Sequence, residues 1–592
     1  MKYYSACPRD CYDACSIITE INDGKISIYG NRIHPYTDGF LCLKSKWYVK
    51  ASHGDARLTE PMIKKNDKFE KISWNDAFKI ISERIKDPER FLPYDYAGNR
   101  ALISYNFPQR MFNYFGTLKL NHSLCDEAGN ISLINLLGSS TGYNPDDINK
   151  SDLFVYWGMN PVWTNIHGWA KVKKNVEKIV VIDPEITETA KSSFMHIRIF
   201  PGKDFKFAMF VAKMLNVKMK KYPDFIMDFD ELDENDKKNA EKFSEMLMKA
   251  KNPVIHIGYG FQKQINGGIT VMAIAFILSI LDKDYNFIYD RRHRIDYDYL
   301  RGKNENRKEI NQYTIADQMD KFDTLFIYGS NPFNSLPNQK KFREKIIEKD
   351  IFVITHDLYL NDTVMNSNLI LPAAHFFEFN DLVDSYYHDY ISLNQKIADP
   401  LGLSLSNHDL FVNLAKFMEL NDPFLIEDEM NIIDNIIKRS NIDRISLFEK
   451  GYAWIEPEII RKKFDFNYFM ENIDKYRKEN SSDFRLISST NVMSIGSLHN
   501  NLYDFDTYAY INDEDAEQMN IKDNDTVKIF NEKYSIITRI KISGRIMKKT
   551  VVIYRGSWVK NYGWNVNFLT DDKSQLYNGP SFQSTFVKIE KL

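Results

Sequence analysis

Two separated stretches of the chain follow one pattern, and that pattern narrows the fold more than any other feature. SDLFVYWGMNPVWTN leads through a helix-like stretch to KIVVIDPEITETA, and FDTLFIYGSNPFNS leads through another to IFVITHDLYLNDTV. Each opens with a continuous apolar run ending in Gly-x-Asn-Pro (Gly158, Asn160, Pro161; Gly329, Asn331, Pro332). Each second run ends in an aspartate, Asp183 or Asp357, with a threonine six residues later, Thr189 or Thr363. Strands without polar alternation belong to parallel sheets covered on both faces, joined by right-handed crossovers. The expected fold class is therefore α/β, with ligand sites beyond the C-terminal ends of the strands. A glycine there lets backbone approach a ligand, and the following helix N-terminus favours phosphate. A strand-end carboxylate can accept hydrogen bonds from ribose hydroxyls or a guanine edge. A further phosphate contact is expected at the turn PGKD, where Gly202, Lys203 and Asp204 follow the strand-like HIRIF. Any one of these features is ordinary turn chemistry. Their recurrence in the same order and at the same offset implies two nucleotide tails.

Cysteine is used sparingly, at five positions, and three of them fall in CPRDCYDAC at residues 7–15. Cys7, Cys11, Cys15 and Cys42 have the spacing C-x3-C-x3-C-x26-C. Three thiolates from one tight loop and a fourth from farther along the chain suit an iron–sulfur cubane. Zinc is the alternative, although structural zinc sites favour C-x2-C or Cys/His knuckles and the nearby His34 stands outside any such pair. Three unligated core cysteines are the remaining option. Lys44, two residues beyond Cys42 in DGFLCLKSKW, places a cation beside the cluster or else is a solvated lysine. So few cysteines in so long a chain do not form a disulfide framework.

The net charge of −3 gives no sign of a polyanion-binding surface. Neither a secretory leader nor a twin-arginine pair is seen, and the longest apolar run, TVMAIAFILSIL at 270–281, is too short to span a bilayer and reads as a buried helix. The expected setting is cytoplasmic, with reduced thiols. The fifth cysteine, Cys125 in NHSLCDEAG, precedes a helix-like pattern and the first nucleotide unit. It is either a small buried residue or a thiolate at a helix N-terminus, where a lowered pKa makes a good soft-metal ligand.

Taken together, CPRDCYDAC with GFLCLK, FEKISWNDAF, CDEAG, both Gly-x-Asn-Pro units, GYGFQKQINGG and the C-terminal block resemble the molybdopterin oxidoreductase family of the dimethyl sulfoxide reductase type. The resemblance covers essentially the whole chain. It implies a four-domain fold: an N-terminal iron–sulfur domain, two pseudo-symmetric Rossmann-like nucleotide-binding domains, and a C-terminal double-psi-like β-barrel. It implies a [4Fe–4S] cluster on Cys7, Cys11, Cys15 and Cys42, and a bis(molybdopterin guanine dinucleotide) carrying Mo or W. Lys44 would lie between cluster and pterin, and Cys125 would be the side-chain ligand to the metal. Asp183 and Asp357 would contact the guanosine ends, with Asn160, Thr187, Asn331 and Thr363 nearby. From about residue 480, short alternating strands with Asp/Asn/Gly turns read as the barrel. Its loops SSTNVMSIGSLHNN and NVNFLTDD, with Ser497, Asn500 and Asn567, would face the cofactor.

By the same analogy the cluster domain spans 1–57, with 430–478 as a candidate addition. One nucleotide domain occupies 123–319, the other is split between 58–122 and 320–429, and the barrel spans 480–592. The charged stretches 229–243 and 291–309 are expected on the surface, the second as a solvated loop or partner contact. A cysteine at position 125 resembles the formate, nitrate and polysulfide or thiosulfate branches. Formate dehydrogenases carry a histidine next, where this chain has Asp126. Asp126 could relay protons or simply start a helix, and His388 could line a substrate funnel or be an interior histidine. The expected activity is two-electron oxo or sulfur-atom transfer, or hydride removal, thiosulfate/polysulfide reductase-like first. Electrons would pass singly through the cluster to a separate iron–sulfur protein or membrane-anchor subunit. A formate dehydrogenase, a non-redox hydratase on the same scaffold and a cofactor-free structural subunit are the alternatives.

Overall fold

The computed structural model describes every residue except Asp55, His122, Ser123 and Ser494. The loop expected at 488–501 therefore has one position, Ser494, outside the described residues. The two repeated stretches form the centres of two parallel sheets. In the first, the strand order is Met195–Ile197, Lys178–Ile182, Leu153–Trp157, Pro253–Ile257, Phe287–Ile288, all parallel. In the second, Leu369–Pro372, Phe352–Asp357, Thr324–Tyr328 and Phe91–Asp95 are parallel, and the antiparallel strands Met62–Lys65 and Lys68–Lys71 close one edge. The central strands LFVYW and TLFIY are buried at every position, as their unbroken apolar sequences require.

The two units are circular permutations of each other. The strand flanking Leu153–Trp157 on its far side, Pro253–Ile257, comes later in the chain. The corresponding neighbour of Thr324–Tyr328, Phe91–Asp95, comes earlier. That order splits the second unit around the first. The apolar run at 270–281 forms most of helix Gly267–Ile280, buried on all sides against helices Glu127–Leu137 and Asp204–Met219. No helix among the described residues is long and apolar enough to cross a membrane.

At the N-terminus, strands Lys2–Ala6, Ser16–Asn22 and Lys25–Gly30 form an antiparallel sheet. Ala6 pairs with Ser16, so CPRDCYDAC is the loop of a hairpin. The Cys7 amide donates to the Cys15 carbonyl at 2.9 Å, and Ala14 takes a left-handed φ of 38°, turning Cys15 back beside Cys7. The C-terminal strands close a six-stranded barrel in the order Phe484–Thr490, Thr550–Arg555, Ala509–Ile511, Ser535–Ile542, Thr526–Phe530, Phe586–Lys591. Two of its pairings are parallel, so it is not a simple meander.

One stretch sits elsewhere than expected, and another departs at three residues. The segment 430–478 is divided. Helices Glu429–Arg439 and Arg444–Lys450 bury Ile432, Ile433, Ile436 and Leu447 in the core of the split unit, and helix Phe466–Ile473 packs on Phe276 of the other. Only Tyr452–Trp454 joins a small sheet, with Asp381–Val383 and Tyr390–Asn394, that lies against the N-terminal strand. The polar stretch at 291–309 is mostly at the surface, as expected, with Arg292, Arg294, Lys303, Glu305 and Lys308 exposed, but Arg291, His293 and Arg307 turn inward to acceptors: Asp389 for Arg291 and His293, and the Thr117 and Leu118 carbonyls for Arg307.

Candidate functional site

The hairpin loop brings Cys7, Cys11 and Cys15 to one side of a small enclosed cavity, and Cys42, at the start of a short 3-10 helix Leu43–Trp47, completes it. Burial raises the Cys7, Cys11 and Cys15 thiols above their ordinary range, and each also feels the charge of other cluster cysteines. A cationic core would offset the cost of ionising these three buried thiols together. A single zinc ion with Zn–S of ~2.3 Å would draw sulfurs to within ~4 Å of one another. Among the described residues no group of three His, Cys, Asp or Glu side chains is arranged to hold a single metal ion. Three cysteines from one loop and a fourth from farther along the chain suit a multinuclear cluster. Polar groups crowd the rim: the Tyr48 hydroxyl is 2.9 Å from Cys7 Sγ, and His167, paired with Asp13 at 3.1 Å, is 3.8 Å from Cys15 Sγ.

A second cavity of about 440 Å³ lies at the C-terminal ends of the first parallel sheet, under the barrel. Gly158, Asn160, Asp183, Thr187 and Asp204, expected from sequence, line it. So do Glu185, Tyr259 and Lys263 from the same unit, and Ser488, Gln583, Tyr554 and Arg555 from the barrel. Trp163 and Thr164 line both cavities. Lys44 borders the first, and its Nζ donates to the Trp163 carbonyl at 2.6 Å, placing this cation in the dividing wall.

The duplicated turns have matching geometry. Gly158 and Gly329 are left-handed, at φ 68° and 57°. Pro161 and Pro332 each begin a one-turn helix. Thr189 Oγ1 donates to Asn160 Oδ1 at 2.6 Å, and Thr363 Oγ1 donates to Asn331 Oδ1 at the same distance. The paired threonines thus orient the turn asparagines. Asp183 accepts from the Glu185 amide, and burial, then Glu185, raises its carboxyl. Asp357 accepts from two backbone amides and from Asn361 Nδ2, and burial lifts it to about 6. A buried carboxyl held this way has oxygen lone pairs to offer N–H or O–H donors of a nucleotide end.

The barrel covers both units. Its Arg545 carbonyl accepts from the Ile186 amide, and Arg545 pairs with Glu188 at 3.0 Å. Over the second unit, Asn331 Nδ2 donates to Ser497 Oγ at 2.9 Å. Asn567 Nδ2 donates to the Asn334 carbonyl at 2.9 Å, and Asn500 Nδ2 bonds the Gly556 carbonyl. Ser497 and Asn567 thereby meet the second turn and the helix that follows it, while Asn500 is held within the barrel.

Cys125 immediately precedes helix Glu127–Leu137. The position predicts a lowered thiol pKa, but burial wins and pushes it up to about 12, against the opposing charges of Lys263 and Arg555. A bound cationic metal would supply what the helix end does not. Around the sulfur stand Asp10, Asp126, Lys263 and Arg555. Burial, then Asp290, raises the Asp126 carboxyl to about 7, and Asn130 Nδ2 bridges the two carboxylates at 3.3 and 3.4 Å. Burial, then Arg555, lowers Lys263 to about 8. Tyr12 and Tyr259 stack beside them with centroids 5.8 Å apart.

Three expected residues lie apart. His388 lines neither cavity; its Nε2 faces the Asp13 carbonyl at 2.9 Å, its ring packs on Tyr36, and burial lowers it to about 4. Lys203 pairs with Asp236 at 3.3 Å instead of facing the cavity. Gly202 turns at φ 105° beside Arg485 and Glu479, while its neighbour Asp204 reaches the lining and accepts from Trp157 Nε1. Lys263, Arg555, Glu185 and Trp163 went unread in the sequence. Lys263 stands in the quoted GYGFQKQINGG, but no spacing rule tied it to Cys125.

Family comparisons agree with this geometry. The molybdopterin oxidoreductase profile matches residues 57–417, the molybdopterin oxidoreductase Fe4S4 domain 1–51, and the molydopterin dinucleotide binding domain 484–586. The chain is similar to the probable oxidoreductase YoaE of Bacillus subtilis, 28% identical over 100% of this chain and 98% of that protein. It is also similar to an F420-dependent formate dehydrogenase subunit alpha of Methanocaldococcus jannaschii, 23% identical over 99% of each. Acetylene hydratase from Pelobacter acetylenicus shares the fold, with a TM-score of 0.80 at 15% identity over the full length of both chains.

Proposed function

The chain belongs to the molybdopterin oxidoreductase family and is an enzyme whose cofactors are a [4Fe–4S] cluster and a bis(molybdopterin guanine dinucleotide) with Mo or W, and we propose that its reaction is the two-electron reduction of a small sulfur oxyanion or polysulfide. When bound, the metal centre supplies two-electron chemistry and the cluster one-electron exchange. In this reading Cys7, Cys11, Cys15 and Cys42 hold the cluster, and Cys125 holds the metal. Asn160, Asp183 and Thr187 hold one dinucleotide; Asn331, Asp357, Ser497, Asn500 and Asn567 hold the other.

The observation that carries the reading is the pair of cations, Lys263 and Arg555, that line the larger cavity and both act on the Cys125 thiol, whose neighbour in the chain is Asp126. Buried cations favour an anionic substrate. A carboxyl that can hold a proton there can deliver it to departing sulfide. Thiosulfate fits both: thiosulfate, two electrons and one proton give hydrosulfide and sulfite. Lys44, in the wall between the cavities, places positive charge where electrons must cross. Electrons come from a separate carrier, since the four cluster cysteines account for one cluster.

The test is anaerobic oxidation of reduced viologen by thiosulfate, polysulfide and nitrate, with formate in the reverse direction. Sulfide and sulfite in equal amounts from thiosulfate support the reading, and turnover with formate alone refutes it. Formate oxidation is the second reading, favoured by the full-length similarity to a formate dehydrogenase subunit. Asp126 in place of an imidazole ranks it second.

A further inference from the structure

Building on the redox reading above, we propose that the surface around Cys42 is the docking face for a small, acidic, one-electron carrier protein. Four large apolar side chains are exposed in one short stretch of the cluster region: Tyr29, Ile33, Phe40 and Leu43, the last 61% exposed. The chain folds back on itself between them. A Cβ on Gly30 would fall 2.5 Å from the Gly39 carbonyl oxygen, so the backbones next to Tyr29 and Phe40 are in contact. Leu41 and Cys42 turn inward to the cluster cavity, while Phe40 and Leu43 on either side of them turn out. Neighbouring Cα atoms are ~3.8 Å apart, so Leu43 lies one residue from a cluster thiol. Electrons entering the cluster by way of Cys42 would cross from solvent at this patch.

The rim is basic. Between residues 29 and 50 the charged side chains are Arg32, Lys44, Lys46 and Lys50 against one acid, Asp38, in a chain whose net charge is −3. Lys46 and Lys50 both lie over the Trp47 ring, at 4.5 and 5.9 Å. Helix Ile166–Asn175, whose His167 ring stacks on Phe40 at 4.0 Å, adds Lys173 and Lys174, with Lys171 facing Asp146 at 3.9 Å. A small apolar centre with a single-sign charged rim is the design of transient electron-transfer contacts, which bury under ~1,200 Å² and rely on steering for their on-rate. The sign of the rim selects an acidic carrier.

The test uses the full-length holoenzyme, with reduced plant-type [2Fe–2S] ferredoxin as the acidic probe, a basic cytochrome as the opposite-charge control, and reduced viologen as a dye small enough to need no docking face. With the oxidant that sustains viologen turnover, the Lys46→Glu/Lys50→Glu variant should slow ferredoxin oxidation tenfold or more and abolish its fall with rising salt. Leu43→Glu should slow it at least fivefold. Viologen turnover and iron content should stay within twofold of wild type. Unchanged ferredoxin rates with intact viologen turnover overturn the docking face alone. So does equal reactivity with the basic cytochrome, or a wild-type dimer that Leu43→Glu converts to monomer in light scattering, which would show a second copy on this face. Absence of viologen turnover with every oxidant overturns the redox reading and the docking face with it.

Discussion

Gly98→Ala tests the permuted duplication at a position no motif marks. A Cβ there would lie 2.4 Å from the Gly329 carbonyl oxygen, and the Gly98 amide donates to that oxygen at 2.8 Å. The other unit has the same contact: a Cβ on Gly258 would lie 2.3 Å from the Gly158 oxygen. Relieving the clash requires the turn to retreat by about half an ångström or more. Overpacking of this kind costs ~1–3 kcal/mol, and the weakened hydrogen bond adds ~1 kcal/mol. The sum of about 2–4 kcal/mol corresponds to roughly 30–1000-fold in the affinity of the second unit for its dinucleotide. Guanylate released by acid from gel-filtered protein reads this out, together with the melting temperature. Wild type should release two equivalents and Gly98→Ala close to one. Gly544→Ala, where the nearest atom is 3.8 Å from the added Cβ, should match wild type. Two equivalents and an unchanged melting temperature in Gly98→Ala would refute the argument.

Replacing Cys11 or Cys42 by alanine should remove the cluster's visible absorbance and most of the iron, whereas Cys125→Ala should keep the iron and lose activity at least a thousandfold. Lys44→Met should leave metal and guanylate contents unchanged and slow viologen-coupled turnover about tenfold or more. His293 is fully buried between Asp384 at 3.7 Å and Asp389 at 3.2 Å; burial alone would lower it, but the two carboxylates hold it above the ordinary imidazole value. Its contribution to stability should be complete below pH ~6.5 and fade as pH rises through the folded-state value, so the fall in denaturation midpoint above that pH should flatten in His293→Gln.

What the sequence disclosed was local. The cluster cysteines are legible because three of them share one hairpin loop. The turn asparagines and strand-end aspartates are legible because short strand–turn units repeat them. The role of Thr189 and Thr363 was visible only as an offset, and the structure turns that offset into a hydrogen bond to the turn asparagine. What stayed hidden depends on long-range packing. Phe91–Asp95 and Gly98 precede their unit in the chain, so no in-order repeat includes them. Lys263 and Arg555 meet Cys125 from different domains. Of the two readings of Cys125, a buried residue or a helix-end thiolate of lowered pKa, burial outweighs the helix end. The polar run at 291–309 is mostly solvated as its charge suggests, but Arg291 and His293 turn inward because of a partner, Asp389, that lies about a hundred residues on.

The central claim is that one polypeptide holds a cubane on its N-terminal hairpin and a group 6 metal between its duplicated halves. Elemental analysis of anaerobically purified protein tests it most directly. The account predicts about four iron atoms and one molybdenum or tungsten atom per chain. Iron in that amount with neither heavier metal would contradict it.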